Sequence, residues 1–118
     1  MTDRETFAPL VLLEYSHRPG HYGLMLTDDA MFAVEGVLAE FGHESNGYAW
    51  AGIARAAVAT RAPEIGERIS FDPEAGMFVA YGEDAAALRT LGALLKEAYE
   101  DPAVLREFVT AGEPSSFD

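Results

Sequence analysis

The sequence predicts an α+β domain in which an antiparallel sheet of about four strands, formed by two hairpins, packs against about four helices. Two turns that contain Pro and Gly, at residues 18–21 and 72–76, each separate two apolar runs of strand length. Each hairpin is followed by two stretches in which apolar residues recur at helical spacing. The predicted order is therefore hairpin, two helices, hairpin, two helices.

The first hairpin combines two apolar segments. "PLVLLEYS", at residues 9–16, is predicted to be a strand because it is apolar and ends at a turn. "RPGH", at residues 18–21, supplies the Pro-Gly turn, and "YGLMLT", at residues 22–27, is predicted to be the returning strand.

The first helix is predicted to begin after Thr27 and to extend to about Phe41. Thr27 is a typical N-cap, and Asp28 and Asp29 in the first turn interact favourably with the helix dipole. Gly42 is a typical C-terminal cap. The predicted buried stripe of this helix consists of Met31, Val34, Leu38 and Phe41.

A loop with an Asn-Gly turn, at residues 43–50, is predicted to lead into the second helix. Pro63 ends this helix because the residue before a proline avoids the helical conformation. Residues 63–69 can hold one further turn. Trp50 is interpreted as a core residue because it shares the apolar helix face with other apolar side chains. These are Ile53, Ala54, Ala57 and Val58.

The second hairpin and the last two helices follow the same pattern. "RISF" and "MFVAYG" are the predicted strands on either side of the "DPEAG" turn. Glu83 and Asp84 begin the third helix, and Asp101 with Pro102 begins the fourth, as an N-cap followed by Pro at the first helical position. The predicted buried side chains are Leu88, Leu91, Leu95 and Ala98 in the third helix and Val104, Leu105, Phe108 and Val109 in the fourth.

Length and composition indicate one globular domain. The chain has 118 residues, of which 49% are hydrophobic and 24% charged, enough to bury a single core. We expect one domain over residues 1–112 and a flexible tail at residues 113–118. The absence of Cys excludes disulfides and thiol catalysis, and no apolar run is long enough for a membrane span. A soluble cytoplasmic protein is expected.

The charge balance indicates the kind of partner. Twenty acidic residues against eight basic ones give a formal net charge of −12. Such a chain repels nucleic acid and anionic membranes and associates readily with basic partners. The alternative is that the charge serves solubility alone.

Few residues indicate catalysis. Asp72 and Glu74 are either the acid pair of an enzyme or parts of an acidic turn, and Asp before Pro is a common way to open a turn. His17 and His21 have a helical metal-ligand spacing but flank Pro-Gly, so we expect no metal site. No serine lies in a nucleophile motif. We expect neither a catalytic residue nor a cofactor.

Acidic residues concentrate in one segment, since no Lys or Arg occurs between residues 19 and 54. On the first helix, acidic side chains fall with Phe32 on the face opposite the buried stripe. Phe32 is either an interface anchor ringed by carboxylates or a residue that packs under a neighbouring loop or helix. Tyr48 can likewise be a contact or a packing residue. The predicted partner-binding residues are Asp28, Asp29, Phe32, Glu35, Glu44 and Tyr48.

Two stretches resemble a known family. "SNGYAW" at residues 45–50 and "PEIGERISFDPEAGMFVAYGED" at residues 63–84 resemble the immunity protein 51 family of bacterial polymorphic toxin systems. The resemblance implies a non-enzymatic protein that binds a toxin made in the same cell and blocks it. It also implies that the shared residues define the fold. These are Asn46, Gly47, Trp50, Asp72, Pro73, Glu74 and Gly76.

Three functions remain in consideration. The first is an immunity protein that neutralises a basic toxin domain, with a nuclease as the favoured target, through an acidic surface. The second is a small hydrolase or ligand-binding domain with a pocket around Asp72, Glu74 and Tyr48. The third is a regulatory or scaffold module without a toxin partner. The oligomeric state is left open.

Overall fold

A computed structural model describes residues 2–3, 6–113 and 117 and confirms the α+β fold. One antiparallel sheet has the spatial strand order β1-β2-β3-β5-β4. Four of its strands are those of the two predicted hairpins, and the sequence does not predict the two-residue edge strand β1. The strands are β1 (Thr2–Asp3), β2 (Val11–Glu14), β3 (Tyr22–Thr27), β4 (Ser70–Phe71) and β5 (Met77–Gly82).

The helices follow the two hairpins in the predicted order. A 3₁₀ segment, Pro63–Arg68, provides the further turn expected after the second predicted helix. The helices are α1 (Asp28–Phe32), α2 (Glu35–Ala39), α3 (Gly47–Arg61), α4 (Ala85–Glu100) and α5 (Pro102–Ala111). No helix in the described part of the chain is both long enough and apolar enough to cross a membrane.

The two hairpins join through β3 and β5, which pair antiparallel along their full lengths. Leu24 lies opposite Ala80, and Leu26 lies opposite Phe78. All four side chains are buried because alternate positions of a strand share one sheet face, and this is the face that α3 and α4 contact. Met25, on the opposite face, is half-buried.

The core lies between the sheet and the helices. Trp50 is completely buried, which confirms its interpretation as a core residue. The predicted stripe of α4 is confirmed, since Leu88, Leu91, Leu95 and Ala98 are all buried. In α5, Leu105, Phe108 and Val109 are buried, whereas Val104 is half-buried at the edge of the core.

The first predicted helix is wrong as a single element, because the structure divides it into α1 and α2. The carbonyl oxygen of Met31 accepts a hydrogen bond from the Val34 N–H at 3.3 Å and another from the Ser45 hydroxyl at 2.5 Å. In a continuous helix this oxygen would accept from the N–H of Glu35. The Ser45 hydroxyl thus bonds to the carbonyl oxygen that the Glu35 N–H would use in a continuous helix, and the helix is interrupted at this point.

The ends of this region also differ from expectation. Thr27 occupies the N-cap position, but its side chain makes no capping hydrogen bond; the Asp29 N–H donates to Asp28 Oδ1 at 2.9 Å. Phe41 is 39% exposed because α2 has already ended at Ala39. Val34, at the break, is half-buried.

Gly42 closes the turn that follows α2, two residues beyond the C-cap residue Glu40. Its φ of 80° lies in the left-handed region that favours glycine. The His43 N–H donates to the Leu38 carbonyl and the Gly42 N–H to the Ala39 carbonyl, both at 3.0 Å. This pair of bonds is the Schellman arrangement, which satisfies carbonyls that a helix end leaves free.

The remaining helices begin at side-chain caps. Asn46 Oδ1 accepts from the Ala49 N–H at 2.9 Å, so α3 begins at Gly47 and the loop predicted to reach residue 50 is shorter than expected. The Asp84 carboxylate accepts from the Ala87 N–H at 3.1 Å, so Asp84 is the N-cap and α4 begins at Ala85, two residues after Glu83. Asp101 caps α5, as predicted.

The "DPEAG" segment is a hairpin turn, as predicted. Glu74 and Met77 exchange backbone hydrogen bonds of 2.8 and 3.2 Å, and the Asp72 N–H bonds to the Val79 carbonyl at 3.0 Å. Its first strand, β4, is only two residues long, because residues 63–68 form the 3₁₀ segment.

Most of the tail expected at residues 113–118 lies outside the described residues. Phe117 is described and is buried. Its ring stacks on the imidazole of His43, with 4.8 Å between ring centroids.

Candidate functional site

A groove of about 640 Å³ opens between α1–α2 on one side and the second hairpin on the other. We call it the acidic groove. Its residues come from two parts of the chain that are distant in sequence, residues 28–46 and residues 75–76. They are Asp28, Phe32, Glu35, Gly36, Ala39, His43, Glu44, Ser45, Asn46, Ala75 and Gly76.

The hairpin wall of the groove is fixed by a close backbone contact at Gly47. The Gly47 N–H donates to the Ala75 carbonyl at 3.2 Å. A Cβ atom at Gly47 would collide with the carbonyl oxygens of Glu74 and Met77. The turn reaches its position because residue 47 has no side chain.

The helical wall is fixed by Ser45, the one buried polar residue among the described side chains. Its hydroxyl donates to the Met31 carbonyl at 2.5 Å and accepts from Trp50 Nε1 at 3.2 Å. Sequence reasoning missed this role. The available signal was the prediction of Trp50 as core, since a buried indole N–H needs a hydrogen-bond acceptor.

Three carboxylates, those of Asp28, Glu35 and Glu44, line the groove, and among the described residues no Lys or Arg does so. Within the described ranges, none of the three makes an ion pair. All three side chains are exposed. The groove therefore carries negative charge that the described residues do not neutralise.

Glu40, one residue beyond α2, has a different environment. Arg106 donates to both of its carboxylate oxygens, at 3.0 and 2.9 Å. These hydrogen bonds and the charge of Arg106 lower the pKa of Glu40 below its ordinary value. The chain thus neutralises Glu40 internally and leaves the carboxylates of the groove to solvent.

Phe32 is 61% exposed and lines the groove. The alternative that Phe32 packs under a neighbouring loop or helix is therefore wrong. The other alternative, that Phe32 anchors an interface, stays a prediction.

The structure brings four of the six predicted partner-binding residues together, namely Asp28, Phe32, Glu35 and Glu44. The other two lie outside the groove. Asp29 is exposed on α1, and Tyr48 is 39% exposed on α3. Partner binding by all six residues stays a prediction.

The residues of the alternative pocket do not converge. Asp72 lines a separate cavity of about 240 Å³, together with Tyr15 and His17. Glu74 and Tyr48 are exposed and do not line that cavity. In the described part of the chain, no cluster of three or more His, Asp or Glu side chains could hold a metal ion.

Comparison with known proteins gives one match. A family model described as immunity protein 51 matches residues 10–114, which is most of the chain. No curated protein and no solved structure matches.

Proposed function

The chain belongs to the immunity protein 51 family, and from this premise we propose that it neutralises a basic toxin domain by covering the toxin's substrate-binding surface with the acidic groove. Membership makes it an immunity protein, a protein that inhibits a toxin. The observation that supports the proposed surface is the groove itself, which joins an exposed aromatic ring to three carboxylates that make no ion pair with any described residue.

A nuclease is the target class that this chemistry fits best. An enzyme that cleaves nucleic acid holds the phosphate backbone with Lys and Arg. A protein with a net charge of −12 is attracted to such a surface. Carboxylates placed against those cations take the positions of phosphates and exclude the substrate, so inhibition requires no chemistry by the inhibitor.

Complementary charge also accelerates association. Electrostatic steering raises association rates far above those of uncharged protein pairs, and the increase is lost as salt screens the charges. We place this encounter in the cytoplasm of the producing cell, where a newly made toxin would otherwise reach its substrate.

Co-expression with the toxin domain encoded by the neighbouring gene tests the proposal. Purification at about 50 mM and about 500 mM NaCl should yield a complex that dissociates more readily at the higher salt, where the Debye length is several-fold shorter. The co-expressing cells should survive, whereas cells with the toxin domain alone should not. A harmless neighbour, or a lethal toxin that fails to co-purify, would contradict the proposed function.

A further inference from the structure

Both walls of the acidic groove contain residues that lack a long side chain. These are Gly36 and Ala39 on α2, and Ala75 and Gly76 on the hairpin turn. A Cβ atom at Gly36 or at Gly76 would meet no atom from another part of the chain within 4 Å. Between its carboxylates the groove therefore has apolar surface and space for side-chain atoms from a partner.

Phe32 presents its ring at the side of this space. Elsewhere in the chain, two phenyl rings are covered by guanidinium groups: Arg55 lies over Phe71, and Arg61 lies over Phe108, each 5.2 Å from the ring centroid. Phe32 has no such cation over it within the described ranges, although it is more exposed than either of those rings. A guanidinium group of a partner protein, placed over Phe32, would reproduce the arrangement seen at Phe71 and Phe108.

The carboxylates of the groove also favour a guanidinium group as their partner. Arginine has a planar guanidinium with five N–H donors, so it can stack on a ring and bond to more than one carboxylate at once. Arg61 shows this geometry within the chain: its guanidinium lies over Phe108 and bonds to the carboxylates of Glu97 and Glu107. Lysine offers a compact and strongly hydrated charge, which stacks less well on a ring.

We propose that the acidic groove is a socket for an arginine side chain at the tip of a loop of the toxin, an inference that rests on the function proposed above. The guanidinium stacks on Phe32 and takes its hydrogen-bond acceptors from the carboxylates that line the groove. A volume of about 640 Å³ exceeds what one side chain fills, so flanking loop residues lie against Gly36 and Gly76.

A small probe tests the socket without the toxin. Isotope-labelled full-length protein is titrated with N-acetyl-arginine N-methylamide and, separately, with the lysine analogue, and backbone amide shifts are followed by NMR. The expected result is a set of shifts centred on Phe32, Gly36 and Gly76, with binding at least about threefold tighter for the arginine probe. Equal binding of both probes, or shifts scattered over the surface, would overturn the proposal.

Gly36→Leu places a side chain in the groove, where it occupies the space proposed for the arginine. The substitution meets open space, and Leu has a higher helix propensity than Gly, so the variant should fold. We expect it to weaken binding of the arginine probe and of the toxin domain by about tenfold or more. Ala93→Leu adds the same side chain at an exposed position on α4, away from the groove, and should leave both affinities unchanged.

The two proposals fail in different ways. If the wild-type protein binds the toxin and Gly36→Leu does so equally well, the socket is wrong and the proposed function stands. If no toxin complex forms, the proposed function fails and the assignment of the arginine to a toxin fails with it. Arginine-selective shifts at Phe32 together with a toxin affinity reduced by Gly36→Leu would support both.

Discussion

Gly47 is the residue at which α3 and the hairpin wall of the groove touch. Gly47→Ala should lower the free energy of unfolding by about 2–3 kcal/mol, because the added methyl group meets two backbone carbonyls that cannot rotate away. Urea denaturation followed by circular dichroism measures the change.

Gly36→Ala is the matched control for that substitution. A Cβ at Gly36 meets nothing within 4 Å, and the residue lies within α2. Here the same chemical change should raise the free energy of unfolding by about 0.5–1 kcal/mol, because Ala loses less backbone entropy than Gly on folding. Equal effects at the two sites would show that the close contact at Gly47 has no energetic consequence.

Ser45 satisfies two buried polar groups at once. Ser45→Ala should lower the free energy of unfolding by about 1–3 kcal/mol, because the indole N–H of Trp50 and the carbonyl of Met31 each lose a buried hydrogen bond to its hydroxyl. Trp50 is the single tryptophan, so its fluorescence reports the change directly. Ser70→Ala, at an exposed serine, should leave both stability and emission unchanged.

At the scale of elements, local chemistry predicts most of the fold. The two turns lie where Pro and Gly indicate them, and Asp84 and Asp101 begin helices as side-chain caps. The break between α1 and α2 could not be predicted, because it involves a hydrogen bond from Ser45 to Met31, fourteen residues earlier. Hydrophobic spacing is continuous across the break and carries no sign of that contact.

The groove could be predicted only in part. Spacing on a helix places Asp28, Phe32 and Glu35 on one exposed face. The opposite wall, Ala75 and Gly76, depends on how the second hairpin docks on α3, and the close contact at Gly47 that permits this docking is visible only in the structure.

The position of charge should matter more than its amount. The triple variant Asp28→Asn, Glu35→Gln, Glu44→Gln should lower the association rate with the toxin by about tenfold and flatten its salt dependence. The control triple Glu64→Gln, Glu67→Gln, Asp72→Asn removes the same net charge from residues outside the groove. Stopped-flow mixing should show a change within about twofold for the control. If both triple variants lowered the association rate equally, the effect would come from net charge and not from the position of the carboxylates in the groove.

Lowering the pH should weaken two contacts at helix ends, the pair of Glu40 with Arg106 after α2 and the Asp84 cap at the start of α4. Arg106 lowers the pKa of Glu40, and the Ala87 N–H, with help from Arg68, lowers that of Asp84. A carboxylate with a lowered folded-state pKa stabilises the fold above its unfolded-state pKa, and this contribution is lost as the pH falls through the folded-state value. The contribution of these two contacts to the free energy of unfolding should therefore decrease as the pH is lowered from about 5 to about 3. Because the net charge of the whole chain also changes with pH, the quantity to measure is the difference in urea midpoint between the wild type and the double variant Glu40→Gln, Asp84→Asn. This difference should narrow over that range, and a constant difference would contradict this explanation.

For the molecule as a whole, salt should act in opposite directions on the free protein and on its complex. A net charge of −12 repels itself in the folded state, so screening should raise the melting temperature of the free protein by about 2–5 °C between low and moderate salt. The same salt should weaken the toxin complex. Scanning calorimetry and binding titration in matched buffers measure the two effects, and a melting temperature that falls with added NaCl would contradict the repulsion argument.

How the two hairpins pair with each other could not be predicted from the sequence. Pairing between β3 and β5 joins Thr27 to Met77, fifty residues apart, and no local pattern specifies this partner. Each hairpin is predictable because its strands are joined by a short turn, whereas the contact between hairpins depends on the complementarity of the whole core.

The two-sided construction of the groove has a consequence for protein synthesis in the cell. All three carboxylates have been translated by residue 44, but the facing wall is made only at residues 75–76. A ribosome adds about 5–20 residues per second, so the second wall follows a few seconds after the first, and folding must then pair β3 with β5. A nascent or truncated chain that ends before Met77 has every groove carboxylate and no groove. If the groove binds the toxin as proposed, protection of the cell should begin when the chain folds, and not when its acidic segment leaves the ribosome.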